Sequence, residues 1–150
     1  MAGWRVGAVA VLAGLALLAG NPAGAAPYKS IDAGKVNLRA GPGTEHPRQW
    51  VVSYGYPVRV LETRNGWARV EDYEGDVAWV AERLLSDRRT VLVTKRLVNV
   101  REGPDTSHDI VFQAEQHVLL RYLGKRDNWV HVQHADGEKG WVYAALVWGD

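Results

Sequence analysis

The sequence predicts an all-β protein made of two small tandem barrels, each of five strands. Three observations point to this fold class: an internal repeat, short runs of alternating hydrophobicity between turn residues, and no 3.6-residue helical period within either repeat. The 150 residues are 47% hydrophobic and 23% charged, as in ordinary globular proteins. Cysteine is absent, which excludes disulfides, cysteine nucleophiles and thiolate metal sites.

The internal repeat has an offset of 62 residues and needs no gap. Its most similar stretch is VNLRAGPGTEH at 36–46, which returns as VNVREGPDTSH at 98–108. Alignment of 36–86 with 98–148 gives 16 identities in 51 positions. Self-similarity at a fixed period indicates two copies of one structural unit.

The repeat also divides the chain. We expect a first domain at 26–86, a linker at 87–96 and a second domain at 97–150. The linker contains TVLVT at 90–94, and its β-branched residues predict an ordered strand that pairs with the edge of one barrel.

The strands of the first unit are predicted from alternation and turn residues. Asn65-Gly66 is a strong signal for a tight hairpin between two of them. The five runs are 35–39, 49–53, 58–63, 67–71 and 77–80. The side chains expected to supply most of the core are Leu61, Val70, Val80 and Leu84.

Residues 1–25 have the layout of a secretory signal peptide. A short positively charged start is followed by an apolar run at 6–19, then by Asn21-Pro22 and small residues up to Ala25. The apolar run is shorter than the roughly 20 residues that span a membrane. We expect cleavage after Ala25, no stable membrane anchor afterwards, and a periplasmic or secreted mature protein.

The charges are balanced. The chain has a formal net charge of +1, and removal of Arg5 with the signal peptide leaves it neutral. The basic residues form no stripe that could follow a phosphate backbone, which argues against nucleic acid as a partner.

The repeated motifs resemble the bacterial SH3-like (SH3b) domain. The first copy has VNLRxGPGT at 36–44, NGW at 65–67 and xWV at 78–80; the second has VNVRxGPxT at 98–106, NW at 128–129 and GWV at 140–142. The resemblance implies two SH3-like barrels in an exported protein. The resemblance also implies binding to peptidoglycan, as in many members of this family.

The first loop of each unit carries the motif Arg-x-Gly-Pro. Its residues are Arg39, Gly41 and Pro42 in the first unit and Arg101, Gly103 and Pro104 in the second. We expect both glycines to adopt positive φ at a sharp turn and both prolines to make the loop rigid. The arginines either tie the loop to backbone carbonyls or face an acidic partner.

Tryptophans are the main candidates for ligand binding. Strand alternation places Trp67 and Trp79 on the face away from the predicted core, so we expect an exposed neighbouring pair whose rings stack on sugars or peptides. The other interpretation is that each tryptophan closes an open end of its barrel or packs in the interface between the two domains. We expect the first unit, which has more aromatic residues, to carry the binding groove. The candidate residues are Trp67, Trp79, Arg69, Tyr54, Tyr56, Trp129 and Trp141.

Metal binding and catalysis find little support in the sequence. His131 and His134 lie beside acidic residues, but residues three apart on a strand point to opposite faces, so we expect no metal site. The serines lack a nucleophile-elbow context. We therefore expect no enzyme activity, no catalytic residues and no cofactor.

Two function classes remain. In the first, the protein is a non-catalytic cell-envelope binding module that recognises peptidoglycan or its stem peptides. In the alternative, it is a periplasmic adaptor that docks a short peptide or another envelope protein.

Overall fold

The computed structural model describes residues 26–150, so the expected signal peptide at 1–25 lies outside the described residues. The described chain forms two antiparallel sheets of seven strands each. The first sheet comprises β1 (Tyr28–Ile31), β2 (Lys35–Arg39), β3 (Arg48–Ser53), β4 (Pro57–Arg64), β5 (Trp67–Glu71), β6 (Val77–Ala81) and β7 (Leu85–Ser86). The second comprises β8 (Thr90–Val93), β9 (Leu97–Arg101), β10 (Ile110–Glu115), β11 (Leu119–Arg126), β12 (Trp129–Gln133), β13 (Lys139–Tyr143) and β14 (Val147–Trp148).

The two sheets have the same topology. Their strand orders are β3-β2-β6-β5-β4-β1-β7 and β10-β9-β13-β12-β11-β8-β14. Each strand of the second sheet thus takes the place of the strand of the first sheet whose number is lower by seven. The all-β fold class with two tandem units is therefore confirmed. The helical segments of residues 26–150 are two three-residue 3₁₀ turns, Glu82–Leu84 and Ala144–Leu146, and neither could cross a membrane.

Each sheet has two strands more than the five predicted. The sequence pattern does not indicate β1, β7 or β14, of which β7 and β14 have only two residues, whereas β8 lies within the strand expected at 90–94. β8 follows β1 at the 62-residue offset and pairs with β11 and β14. The strand inside the expected linker thus belongs to the second sheet, and we propose that the two units divide at 87–89.

Ten buried hydrophobic residues form the core of each unit, and eight of the positions are equivalent. The first core consists of Ile31, Val36, Leu38, Val52, Val58, Val60, Ala68, Val70, Ala78 and Val80. The second consists of Val91, Val93, Val98, Val100, Ala114, Leu120, Val130, Val132, Val142 and Val147. Small branched side chains dominate because the interior of a small barrel has little room.

Two of the expected core residues lie elsewhere. Leu61 is 37% exposed, because it follows buried Val60 in β4 and strand alternation directs its side chain outward. Leu84 is only partly buried and packs against the core.

The two units contact each other through the residues that connect them. The Arg89 guanidinium lies 3.9 Å from the centre of the Tyr122 ring in the second unit and 5.5 Å from the Tyr28 ring in the first. Its Nη2 donates a hydrogen bond to the Gly149 carbonyl at 2.8 Å. Arg89 therefore bridges the units through cation–π contacts and one hydrogen bond.

Candidate functional site

One groove recurs at the same place in both units. The first groove, of about 510 Å³, is lined by Thr44, Gly66, Trp67, Ala81, Glu82 and Arg83. The second groove, of about 490 Å³, is lined by Leu97, Val98, Asn99, Arg101, Asp105, Thr106, Trp129, Tyr143 and Leu146. The positions of Thr44, Trp67 and Ala81 correspond to Thr106, Trp129 and Tyr143 at the 62-residue offset. The groove is thus a feature of the repeated unit.

Strand pairing brings a tryptophan to each groove. Trp67 begins β5 and lies opposite Ala81, the last residue of β6. Trp129 begins β12 and lies opposite Tyr143, the last residue of β13. The next residue along each strand is fully buried, so strand alternation directs both tryptophans outward. Both rings are half-buried, which leaves part of each available to a ligand.

The second groove is the more aromatic of the two. The rings of Trp129 and Tyr143 form an edge-on contact with centroids 5.6 Å apart. Tyr143 is 41% exposed and Leu97 is 53% exposed, whereas the equivalent residues of the first unit are Ala81 and Lys35. The expectation that the first unit carries the groove is therefore corrected: both units have one, and the second is lined by two aromatic side chains instead of one.

Each groove carries one acidic and one basic side chain: Glu82 and Arg83 in the first, Asp105 and Arg101 in the second. The 3₁₀ turn after β6 brings exposed Glu82 and Arg83 to the first groove. The second groove contains Asp105, whose carboxylate accepts a hydrogen bond from the Ser107 backbone N–H at 2.9 Å. This hydrogen bond lowers the pKa of Asp105 and keeps its carboxylate ionised at neutral pH.

Trp79 shares the outer face of the sheet with Trp67 but is only 9% exposed. It pairs with Arg39 on one side and Arg69 on the other, and the Arg64 guanidinium lies 5.4 Å from the centre of its ring. These neighbouring long side chains cover the indole. The expectation of an exposed pair is thus wrong for Trp79, and Trp67 is the exposed member.

Arg69 does not line the first groove. Its Nη1 lies 3.9 Å from Glu62, which also forms an ion pair with Arg64 at 2.9 Å. Arg83, which sequence reasoning missed, lines the first groove in its place.

In the second unit, the counterpart of Trp79 is Trp141, which also lies outside the groove. The His131 ring stacks on it with centroids 4.6 Å apart and an interplanar angle of 13°, and the Arg126 guanidinium lies 5.8 Å from its centre. Burial, reinforced by the nearby Lys139 charge, lowers the pKa of His131 below its usual value of 6.5. The neutral imidazole is therefore the form that the folded protein favours.

This stacked pair predicts a pH dependence of stability. Because the folded state lowers the pKa of His131, its contribution to stability is present above pH 6.5 and is lost as the pH falls through the folded-state pKa. We expect His131→Gln to flatten the loss of stability below about pH 6.5. Denaturation midpoints across this range, with NMR titration of the imidazole, measure the effect. An NMR pKa at or above 6.5 contradicts it.

Tyr54 and Tyr56 lie away from both grooves. Tyr54 is 54% exposed and faces a cleft between the units, whereas Tyr56 packs against the first core. The two tyrosines flank Gly55, whose carbonyl accepts a hydrogen bond from Thr90 of the second unit. This end of the first barrel therefore faces the second unit. This inter-unit cleft is lined by Ser30, Tyr54, Gly55, Arg88, Thr90, Leu119, Leu120, Arg121, Gln133, His134, Ala135 and Gly137.

The motif arginines hold the first loop of each unit. Arg39 Nη1 donates to the carbonyls of Thr44 at 3.1 Å and His46 at 2.9 Å. Arg101 Nη1 donates to the His108 carbonyl at 3.0 Å. Because Thr44 lines the first groove, this bracing also fixes one groove wall.

The motif glycines have a different role from the one expected. Gly41 and Gly103 do not adopt positive φ. A Cβ atom at Gly41 would lie 2.6 Å from the His46 ring, and one at Gly103 would lie 2.5 Å from the His108 ring. Glycine lets the imidazole pack directly against the backbone, and a larger residue would displace the ring.

The two histidines considered for metal binding make separate contacts. His131 stacks on Trp141, whereas His134 Nδ1 accepts a hydrogen bond from the Asp136 backbone N–H at 3.1 Å. Within residues 26–150, no three His, Asp or Glu side chains are grouped closely enough to hold a metal ion.

Comparison with known proteins identifies the repeated unit. A family model described as the bacterial SH3 domain matches residues 32–87 and again 94–149. The curated protein "Putative N-acetylmuramoyl-L-alanine amidase YrvJ" of Bacillus subtilis (strain 168) is 23% identical over 124 residues, which cover 75% of this chain and 24% of that protein. The chain thus spans about a quarter of the length of this relative.

Similar solved structures include NlpC2 and NlpC1 from Trichomonas vaginalis, at 13% and 14% identity, each with a TM-score of 0.39. The matches cover 83% of this chain and 48% and 46% of those chains. An NlpC/P60 family protein from Bacillus cereus ATCC 10987 is 16% identical with a TM-score of 0.37, covering 81% of this chain and 55% of that one.

Proposed function

Since this chain belongs to the bacterial SH3 domain family and carries the domain twice, we propose that it is a non-catalytic cell-envelope binding protein that recognises peptidoglycan. The observation that carries the proposal is the recurrence of one groove, with a half-exposed tryptophan, in both units. The amidase name of the relative, which refers to a cell-wall bond, supports the same class of ligand.

The chemistry of the grooves suits a glycan with peptide substituents. An exposed indole face stacks on the apolar face of a sugar ring, and each contact of this kind contributes roughly 0.5–1.5 kcal/mol. In the first groove, exposed Arg83 can donate charge-assisted hydrogen bonds to a stem-peptide carboxylate. Each groove alone therefore binds weakly, and the tandem arrangement supplies most of the affinity for a long polymer.

A single tryptophan replacement tests the grooves on a soluble ligand. Trp129→Ala should weaken the binding of a short peptidoglycan fragment at the second groove by roughly 2- to 13-fold, the loss of one stacking contact. Calorimetric titration measures this. Leu61→Ala is the matched control, because Leu61 is 37% exposed and lies outside both grooves. If Trp129→Ala unfolds the protein instead, the tryptophan closes the barrel and the groove assignment is incorrect.

The second candidate function is a protein-interaction adaptor. The exposed side chains of Leu97 and Tyr143 at the second groove favour it, because apolar anchors in a groove are typical of peptide docking. Co-sedimentation with purified sacculi, compared with capture from a periplasmic extract, separates the two functions. Retention by sacculi free of other protein supports peptidoglycan binding, whereas its absence favours the adaptor.

We also propose that the protein acts in the periplasm or outside the cell after cleavage of residues 1–25. The supporting observations are the family membership and the charge and hydropathy pattern of that segment. On this proposal the exported protein begins at Ala26. An intact mass that includes Met1 contradicts it.

A further inference from the structure

The inter-unit cleft has a volume of about 480 Å³ and shares no lining residue with either groove. Hydrogen bonds between the units fix its walls. Thr90 Oγ1 donates to the Gly55 carbonyl at 2.5 Å, and Ser30 Oγ donates to the Arg88 carbonyl. The cleft is therefore preformed, as ligand sites usually are.

Two unpaired arginines line this cleft. In the sheet, Arg121 of β11 lies opposite Thr90 of β8 on one side and Gln133 of β12 on the other, so the three residues form a row across the strands. Arg88 approaches from the segment between the units. Both arginines are exposed, and within the described part of the chain neither side chain forms an ion pair or a hydrogen bond.

No carboxylate is among the lining residues of the cleft. Asp87, the neighbour of Arg88 in the chain, forms an ion pair with Lys29 at 3.0 Å. Asp136 lies 3.2 Å from His134 at the other side. The cleft therefore has a positive potential that attracts an anionic group.

Part of the remaining wall is apolar. It includes Tyr54, which is 54% exposed, and half-buried Leu119. An aromatic ring beside cationic groups suits a ligand that combines a carboxylate with apolar side chains. A short peptide with free carboxylates has this combination.

We propose that the inter-unit cleft is a third binding site and that it takes the carboxylate-bearing stem peptide of peptidoglycan. Arg88 and Arg121 donate charge-assisted hydrogen bonds to the carboxylate, and Tyr54 packs against an apolar side chain of the peptide. The source of the peptide rests on the proposed function, whereas the preference for a carboxylate rests on the cleft alone.

Calorimetric titration of the exported protein with a purified stem peptide tests this site. The native peptide should bind, and the same peptide with amidated carboxylates should bind about tenfold more weakly or worse. The double variant R88Q/R121Q should show the same loss with the native peptide. Arg48→Gln is the matched control, because Arg48 is also exposed and lies outside the cleft.

Equal affinity for the native and amidated peptides, or unchanged affinity in R88Q/R121Q, overturns the proposal. Sacculus co-sedimentation separates this failure from failure of the proposed function. If the wild type binds sacculi but the peptide does not bind the cleft, only the third site is lost. If the wild type binds the peptide but no sacculi, the proposed function fails and the cleft stands. Should R88Q/R121Q unfold, Tyr54→Ala provides the same comparison.

Discussion

Replacement of Leu120 by alanine is expected to lower the free energy of unfolding by about 2–5 kcal/mol. Leu120 is fully buried among the core residues of the second unit, so its removal leaves a cavity that the small barrel can only partly fill. Small domains have a total stability of about 5–15 kcal/mol, so this loss is a large part of the whole. Chemical denaturation followed by circular dichroism measures it.

Leu97→Ala is the matched control for this prediction. It makes the same chemical change in the same unit, but Leu97 is 53% exposed, so the expected change is within about 0.5 kcal/mol. A loss below about 1 kcal/mol at Leu120 would contradict the packing described for the second core.

Trp67→Ala or Trp129→Ala should weaken binding to intact sacculi by roughly 2- to 13-fold, because the avidity of two linked grooves scales with the affinity of each. A long polymer can occupy both grooves of one molecule, and the second contact then forms at a high effective concentration. A short fragment occupies one groove at a time, so the intact groove of each single variant still binds it with the affinity of the wild type. Trp67→Ala and Trp129→Ala, compared on sacculi and on short fragments, measure this difference.

Trp79→Phe provides the control for this comparison, because Trp79 is buried and lies outside both grooves. It should bind sacculi like the wild type. Unchanged affinity of both single variants for sacculi would show that the two grooves do not act on one polymer.

The repeat explains why so much of the fold could be predicted. A gapless 62-residue offset requires two units of the same topology, and the alternation around Ala68 and Val70 correctly directs these residues inward and Trp67 outward. The same offset, applied to Tyr28–Ile31, leads to Thr90–Val93 and could have assigned β8 to the second unit.

Other features depend on interactions that a single strand does not record. The burial of Trp79 depends on arginines from neighbouring strands. Strand alternation directs Trp79 to the outer face of the sheet, but it does not show that these long side chains cover the indole.

The grooves were only partly predictable for a similar reason. The tryptophans follow from alternation, but Arg83 lies on a 3₁₀ turn and Thr44 on a loop, where no period applies. Tyr54 was expected to join Trp67 in a binding groove because the first unit has more aromatic residues. The turn that carries it instead faces the second unit, a placement set by the contact between Thr90 and Gly55.

Co-sedimentation of the double variant W67A/W129A with purified sacculi tests the central claim most directly, with circular dichroism and thermal unfolding as checks on the fold. The account predicts a folded protein that remains in the supernatant at concentrations where the wild type sediments. A folded double variant that sediments as well as the wild type would contradict the claim that the repeated grooves bind peptidoglycan.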